Sequence, residues 1–153
     1  MNSLSRIRSA WSSQPGVWFS VVALVGLLWN IVGALQFVNS LTATEASMKG
    51  AMMTPEQVAV ITALPAWVTL VFGVGVVTSL IGSVLMYLRH RGTMPTLVVS
   101  LLAFVLLSIA YAIYGVFAAI GTQQIVTMTV VVVAAAGLVW FQVSKKSAAF
   151  HKL

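Results

Sequence analysis

The chain has 153 residues, 60% of them hydrophobic and 7% charged, with a formal net charge of +6 and a mean hydropathy of +1.05. A globular domain is roughly half apolar and a quarter charged, so the polar surface here cannot cover a water-soluble body and an ordinary soluble enzyme is excluded. The absence of cysteine removes disulfides, thiolate nucleophiles and cysteine-ligated metals. The basic residues come in small groups between long apolar runs, so nucleic acid is not an expected partner.

The first segment, Met1 to Gly16, has Leu4, Ile7 and Trp11 at helical spacing beside Arg6 and Arg8. That pattern suits a short helix on the inner leaflet, and a Ser-rich tail fits as well. The apolar run behind it exceeds the roughly 7 to 15 residues of a signal-peptide core and ends in Gln36-Phe37-Val38 without a small-x-small exit, so no cleavage is expected.

A bilayer core about 30 Å thick takes about 20 apolar residues in helix. Four stretches qualify: Val17 to Val38, Ala66 to Tyr87, Thr96 to Ala118 and Ile125 to Val143. None contains Asp, Glu, Lys, Arg or His, so none carries the roughly 2.5 to 3.5 kcal/mol penalty of a central charge. Pro15-Gly16, Pro65 and Pro95 sit just ahead of runs, where proline suits a helix start. These spans predict one domain over residues 1–153, an all-α integral membrane protein built as a four-transmembrane-helix bundle.

On the first span Gly26, Trp29, Asn30, Gly33, Gln36 and Phe37 fall within an arc of about 120°. Asn30 lies near mid-span and must find a partner away from lipid. It either bonds a neighbouring backbone carbonyl or serine and fixes helix register, worth about 0.6 to 2 kcal/mol, or it meets a solute or wet cavity.

The long connection that follows, Asn39 to Leu64, holds the only acids, Glu45 and Glu56. Within it Thr54-Pro55-Glu56-Gln57 is a capping-box start. It predicts a short amphipathic outer helix over 55–64, its Val58, Ile61 and Leu64 resting on the bundle or in the headgroups. Met48, Met52 and Met53 fall at helical spacing and could offer thioethers to Cu(I). With no His or Cys nearby, apolar contact is expected instead, and no metal site.

The second span carries Gly75, Ser79, Gly82 and Ser83 at small-xxx-small spacing, extended by Phe72 and Met86, which predicts a helix-packing face. Gly26 and Gly33 are the matching positions on the first span. The third span has Ser108, Tyr111 and Gly115 on one face with Tyr114 alongside, and the fourth has Thr127. Trp29, Asn30, Gln36, Trp67, Tyr111 and Tyr114 therefore fall at similar depth. Neutral hydrogen-bonding groups with aromatic faces suit a neutral polyol or sugar. They suit a lipid headgroup niche or a wet helix interface equally well.

Orientation follows the bases. Arg6 and Arg8 precede the first span, Arg89 and Arg91 follow the second, and Lys145, Lys146 and Lys152 follow the fourth, while Lys49 lies opposite. The positive-inside rule then puts both termini in the cytoplasm. Trp18, Tyr87, Trp140 and Phe141 fall near the inner interface, Phe37 and Trp67 near the outer one.

The chain also lacks the groups that membrane catalysis uses. No carboxylate lies in the first helix, as it does in four-span multidrug antiporters. His90 and His151 lie outside the spans, and the two acids are on the opposite side from both histidines, so neither haem ligation nor a Ser-His-Asp arrangement is available. No enzyme activity and no cofactor are expected.

The string Trp29-Asn30-x-x-Gly33-x-x-Gln36-Phe37, the loop Met53-Thr54-Pro55-Glu56-Gln57, and Pro65-Ala66-Trp67 before a Gly-containing second span resemble a family of uncharacterised small four-span bacterial inner-membrane proteins. Some of its members are labelled sugar transporters. The resemblance implies residence in the bacterial inner membrane and brings that transporter label with it. Two functions are expected from all this. The first is an accessory or structural subunit associating with itself, lipid or other membrane proteins. The second is an uncoupled facilitator of a neutral solute such as a sugar, acting as an oligomer.

Overall fold

Lipid offers no hydrogen-bond partners to a backbone, so uncharged apolar runs of this length satisfy their own amides as helices. The computed structural model describes residues 17–88 and 90–150. Its elements are α1 (Val17–Thr42), α2 (Glu45–Gly50), α3 (Pro55–Thr62), α4 (Ala66–Tyr87), α5 (Thr93–Ile113), α6 (Val116–Ile120) and α7 (Thr122–Phe150). There is no strand among the described residues. Helices α1, α4, α5 and α7 are long and apolar enough to cross a membrane, and the chain is a multi-pass, all-α four-helix membrane protein. Arg6, Arg8, Arg89, His151, Lys152 and the expected amphipathic segment around Trp11 lie outside the described residues.

The spans pack as an open arc. Helix α4 has its most extensive contact with α5, α1 rests on α4, and α7 rests on α5. The α4–α5 seam is close because small residues let the backbones approach. A Cβ built at Gly75 would lie 2.9 Å from the Phe104 ring, and one at Gly82 would lie 2.6 Å from a Leu97 methyl. Ser100 Oγ crosses the same seam to donate to the Gly75 carbonyl at 3.0 Å. Between α1 and α4 the Phe37 ring lies over Gly73, where a Cβ would come within 2.7 Å, and meets Phe72 edge to face at 5.3 Å. Phe37 is thus a packing residue and not only an interfacial one. Around these seams Val68, Val76, Phe104, Leu107, Ala110, Met128 and Ala135 form the core.

Helices α1 and α7 stand at the two ends of the arc. They approach where Gly26 faces Leu138, a Cβ on Gly26 reaching a Leu138 methyl at 3.5 Å. Away from that point no extensive contact closes them. The α2, α3 and α6 segments cover one end of the bundle, hereafter the loop end. Arg91, the exposed turn between α4 and α5, and the last turns of α7, which hold Lys145 and Lys146, lie at the other.

Several boundaries differ from the expected ones. The first span continues to Thr42, the third covers 93–113 instead of 96–118, and the fourth covers 122–150 instead of 125–143. The third stops early because Gly115 adopts φ +72°, a left-handed conformation that ends a helix and suits glycine. Gly115 therefore terminates the span, where the sequence had it on a helical face. The chain then makes α6 and turns again at Gly121, φ +81° and ψ −156°. That conformation is essentially confined to glycine, so Gly121→Ala should lower unfolding stability by about 1–3 kcal/mol. Gly137→Ala, in the open on α7, should be neutral in the same denaturation experiment.

The capping box at Thr54 and Gln57 forms, but α3 ends at Thr62, not Leu64. Its underside packs on α6: Val58 is buried, and Gln57 Nε2 donates to the Ala119 carbonyl at 3.1 Å. A second capping box, Thr44 with Ser47, starts α2. Met48 lies in α2, whereas Met52 and Met53 lie in the turn after it. The three methionines therefore share no helix face.

Candidate functional site

The gap between α1 and α7 holds a cavity of about 600 Å³, within the roughly 300–1,000 Å³ usual for small-ligand sites. Helical spacing builds each wall. Trp29, Asn30, Gly33 and Gln36 form the α1 side, and Phe72, Val76 and Ser79 the α4 side. Phe104 and Tyr111 come from α5. The α7 side runs from Gln123, Gln124 and Thr127 through Met128, Val131, Ala134 and Ala135 to Leu138, a distance of about 22 Å at 1.5 Å per residue. Met53 and Gln57 stand at the loop end of the cavity, beside the fully projecting Met52. No Asp, Glu, Lys, Arg or His is in this lining.

Asn30 carries two side-chain hydrogen bonds here. Its Nδ2 donates to the Gly26 carbonyl at 2.7 Å and to Ser83 Oγ at 2.7 Å. A carbonyl only accepts, so the nitrogen end must face Gly26 and both amide hydrogens are committed. The side chain is 6% exposed, yet no buried side-chain oxygen or nitrogen is left without a partner among the described residues. Its Oδ1, which accepts from no described donor, is therefore accessible at the cavity wall. Both expectations for Asn30 are thus present in one residue: the nitrogen ties α1 to α4, and the oxygen opens on a cavity.

Ser79 repeats the pattern. It is 4% exposed, lines the cavity, and its hydroxyl has no partner among the described residues, so by the same reasoning Oγ is accessible there. An oriented acceptor and a rotatable donor–acceptor therefore stand on adjacent helices. Tyr111 and Phe72 separate this cavity from a smaller one of about 280 Å³ beneath α2 and α3. Tyr111 is steadied by Phe117, edge to face at 6.1 Å.

Among the expected site residues, Trp29, Asn30, Gln36 and Tyr111 line the cavity, as does Thr127. Trp67 and Tyr114 do not. They lie together on the exterior, ring centroids 6.2 Å apart, because the helix ends at Ile113 and Tyr114 falls in the turn before Gly115. Of the expected packing residues, Gly26, Gly75, Gly82 and Ser83 are buried at helix contacts, and Ser79 is buried but borders the cavity. Gly33 differs: a Cβ there would meet nothing within 4 Å, so it faces open space and not a neighbouring helix.

Sequence reasoning missed Gln57, Gln123 and Gln124. The last two precede the span expected from Ile125 and belong to the first turn of α7. The stripe Gln123, Thr127, Val131, Ala134, Leu138 at helical spacing was the available signal. His90, outside the spans, serves its turn: its Nδ1 accepts from the Gly92 amide at 3.1 Å. No family model, curated protein or solved structure matches the chain.

Proposed function

We propose that this chain is a small bacterial inner-membrane accessory protein that holds a neutral, hydrogen-bonding ligand in the cavity between α1 and α7. The observation that carries the reading is a pair of polar atoms on largely buried side chains, Asn30 Oδ1 and Ser79 Oγ, that have no partner among the described residues and open on a cavity without charge. Both atoms are free to pair with a ligand hydroxyl, and a ligand that enclosed them without pairing them would incur their desolvation penalty. An uncharged wall disfavours ions, and Tyr111 is the one titratable side chain among the described residues of the lining, so we read the role as binding without chemistry. The bases at the terminal end orient the loop end, and with it the glutamine-lined mouth, away from the cytoplasm. The apolar flanks of α1, including Leu24, Leu28 and Leu35, are available to lipid, to a second copy or to another membrane protein.

Because the chain has no cysteine, Thr127→Cys gives a single reporter on the cavity wall. In intact cells a membrane-impermeant maleimide should label it from outside, and a neutral hydroxylated compound should slow that labelling. If the maleimide reacts only after lysis, the orientation is wrong. If glucose, glycerol, methyl glucoside and dodecyl glucoside all leave the rate unchanged, the binding role fails.

The second function, uncoupled passage of a neutral solute by an oligomer, draws support from one feature. The cavity descends as far as Leu138, where the approach to Gly26 is its inner closure. Passage would register as equilibration of labelled methyl glucoside into vesicles carrying the protein.

A further inference from the structure

The way into the cavity is as informative as its lining. A solute arriving from water needs only the loop end. This cavity is also unsealed along its side, where α1 and α7 fail to close. The two helices run antiparallel, so counting equal rises from the Gly26–Leu138 contact sets Asn30 at about the depth of Ala134 and Gly33 at about that of Val131. At that level the α1 wall is a glycine with open space around it, and the residues opposite are Val131 and Ala134. The slit is therefore open in the middle of the bilayer, bordered by hydrocarbon and a bare backbone.

The two faces of the cavity differ in kind. Along α1 and α4 polar groups recur from depth to mouth: Asn30, Ser79, then Gln36. Along α7 the deeper levels carry Ala134, Val131 and Met128, and polar groups, Thr127, Gln123 and Gln124, return only towards the mouth. Water beside the deeper part of α7 would find few of the two to four polar partners that hold a buried molecule. A ligand with hydroxyls on one side and hydrocarbon on the other satisfies both walls, and one already resident in the membrane meets the slit directly.

Taking the cavity as a neutral-ligand site, on which this rests, we propose that its occupant is a lipid with an uncharged polyol head, of the glycosyl or glycerol type. The head lies against Asn30, Ser79 and Gln36, and the chain leaves through the slit at Gly33 into the bilayer. Neutrality follows from the uncharged lining, and the lipid source follows from the lateral opening.

The Thr127→Cys protein in phosphatidylcholine nanodiscs tests this with two probes that share one head, dodecyl glucoside and methyl glucoside. Dodecyl glucoside should slow maleimide labelling about tenfold when present at ten times its dissociation constant, and methyl glucoside at the same concentration should not. Adding Gly33→Leu fills the slit at a position where an added Cβ meets no neighbour within 4 Å, so the fold should tolerate it. Measured against this variant's own ligand-free labelling rate, protection by dodecyl glucoside should be lost. Protection by both glucosides alike would overturn the lipid source while leaving the binding role intact. Protection by dodecyl glucoside that survives Gly33→Leu would overturn entry through the slit. Protection by neither would overturn both this inference and the binding role.

Discussion

Gly82→Val is expected to destabilise the bundle by about 3 kcal/mol, the upper end of the range for overpacking a filled interior. A Cβ at Gly82 already stands 2.6 Å from one Leu97 methyl and 3.0 Å from Leu97 Cγ. Leu97 is itself almost fully buried, so the added methyls of valine push α4 and α5 apart. That seam is the most extensive helix contact in the protein, and α1 and α7 each rest on one side of it. Gly82→Ala should show a smaller loss in the same direction, about 1 kcal/mol. Unfolding in mixed detergent, followed by tryptophan fluorescence, reads both. Wild-type stability in Gly82→Val would mean that the α4–α5 approach is looser than described.

Asn30→Asp should cost about as much for a different reason. The substitution keeps the shape and removes the donor. The Gly26 carbonyl and Ser83 Oγ, each now 2.7 Å from a donating nitrogen, would face a carboxylate oxygen. A charged carboxylate near the middle of a span costs about 2.5–3.5 kcal/mol by insertion scales, and no cation lines the cavity to offset it. Asn30→Ala removes the same hydrogen bonds without adding charge and should cost about 0.6–1.7 kcal/mol, the range measured for interhelical hydrogen bonds in a membrane. A double-mutant cycle with Ser83→Ala isolates the α1–α4 bond, and a coupling near zero would remove Asn30 as the tie between those helices. The order Asp worse than Ala separates a donor requirement from simple loss of packing. The reverse order would mean the amide nitrogen is not what Gly26 meets.

Much of the site's chemistry was legible residue by residue. Asn30 stands out in any reading because a lone amide in an apolar span has to be paired. The Gly75, Ser79, Gly82, Ser83 stripe stands out because four small residues at this spacing let helix backbones approach closely, although Ser79 also borders the cavity. The capping box at Thr54 was equally plain, since its two hydrogen bonds join residues three apart. The failures share one cause. Tyr114 and Gly115 continue the helical pattern of α5 without interruption, and nothing local tells a glycine that packs from one that turns. Trp67 had the right depth and the wrong side, and Gly33 had the right spacing for a contact that no helix makes.

Sequence alone determined depth, because transfer of a segment into lipid depends on its length and composition, quantities that do not involve the rest of the chain. It therefore specified four spans, a charge-free interior and a mid-span amide. Direction around the bundle axis was decided only in the tertiary structure. Which helices touch depends on side chains interlocking across α4 and α5, on Phe37 settling over Gly73, and on the left-handed turn at Gly115 that redirects the chain towards α7. Those contacts close three sides of the bundle and leave the fourth open. The same Asn30 that secures α1 to α4 thereby presents its oxygen to a cavity.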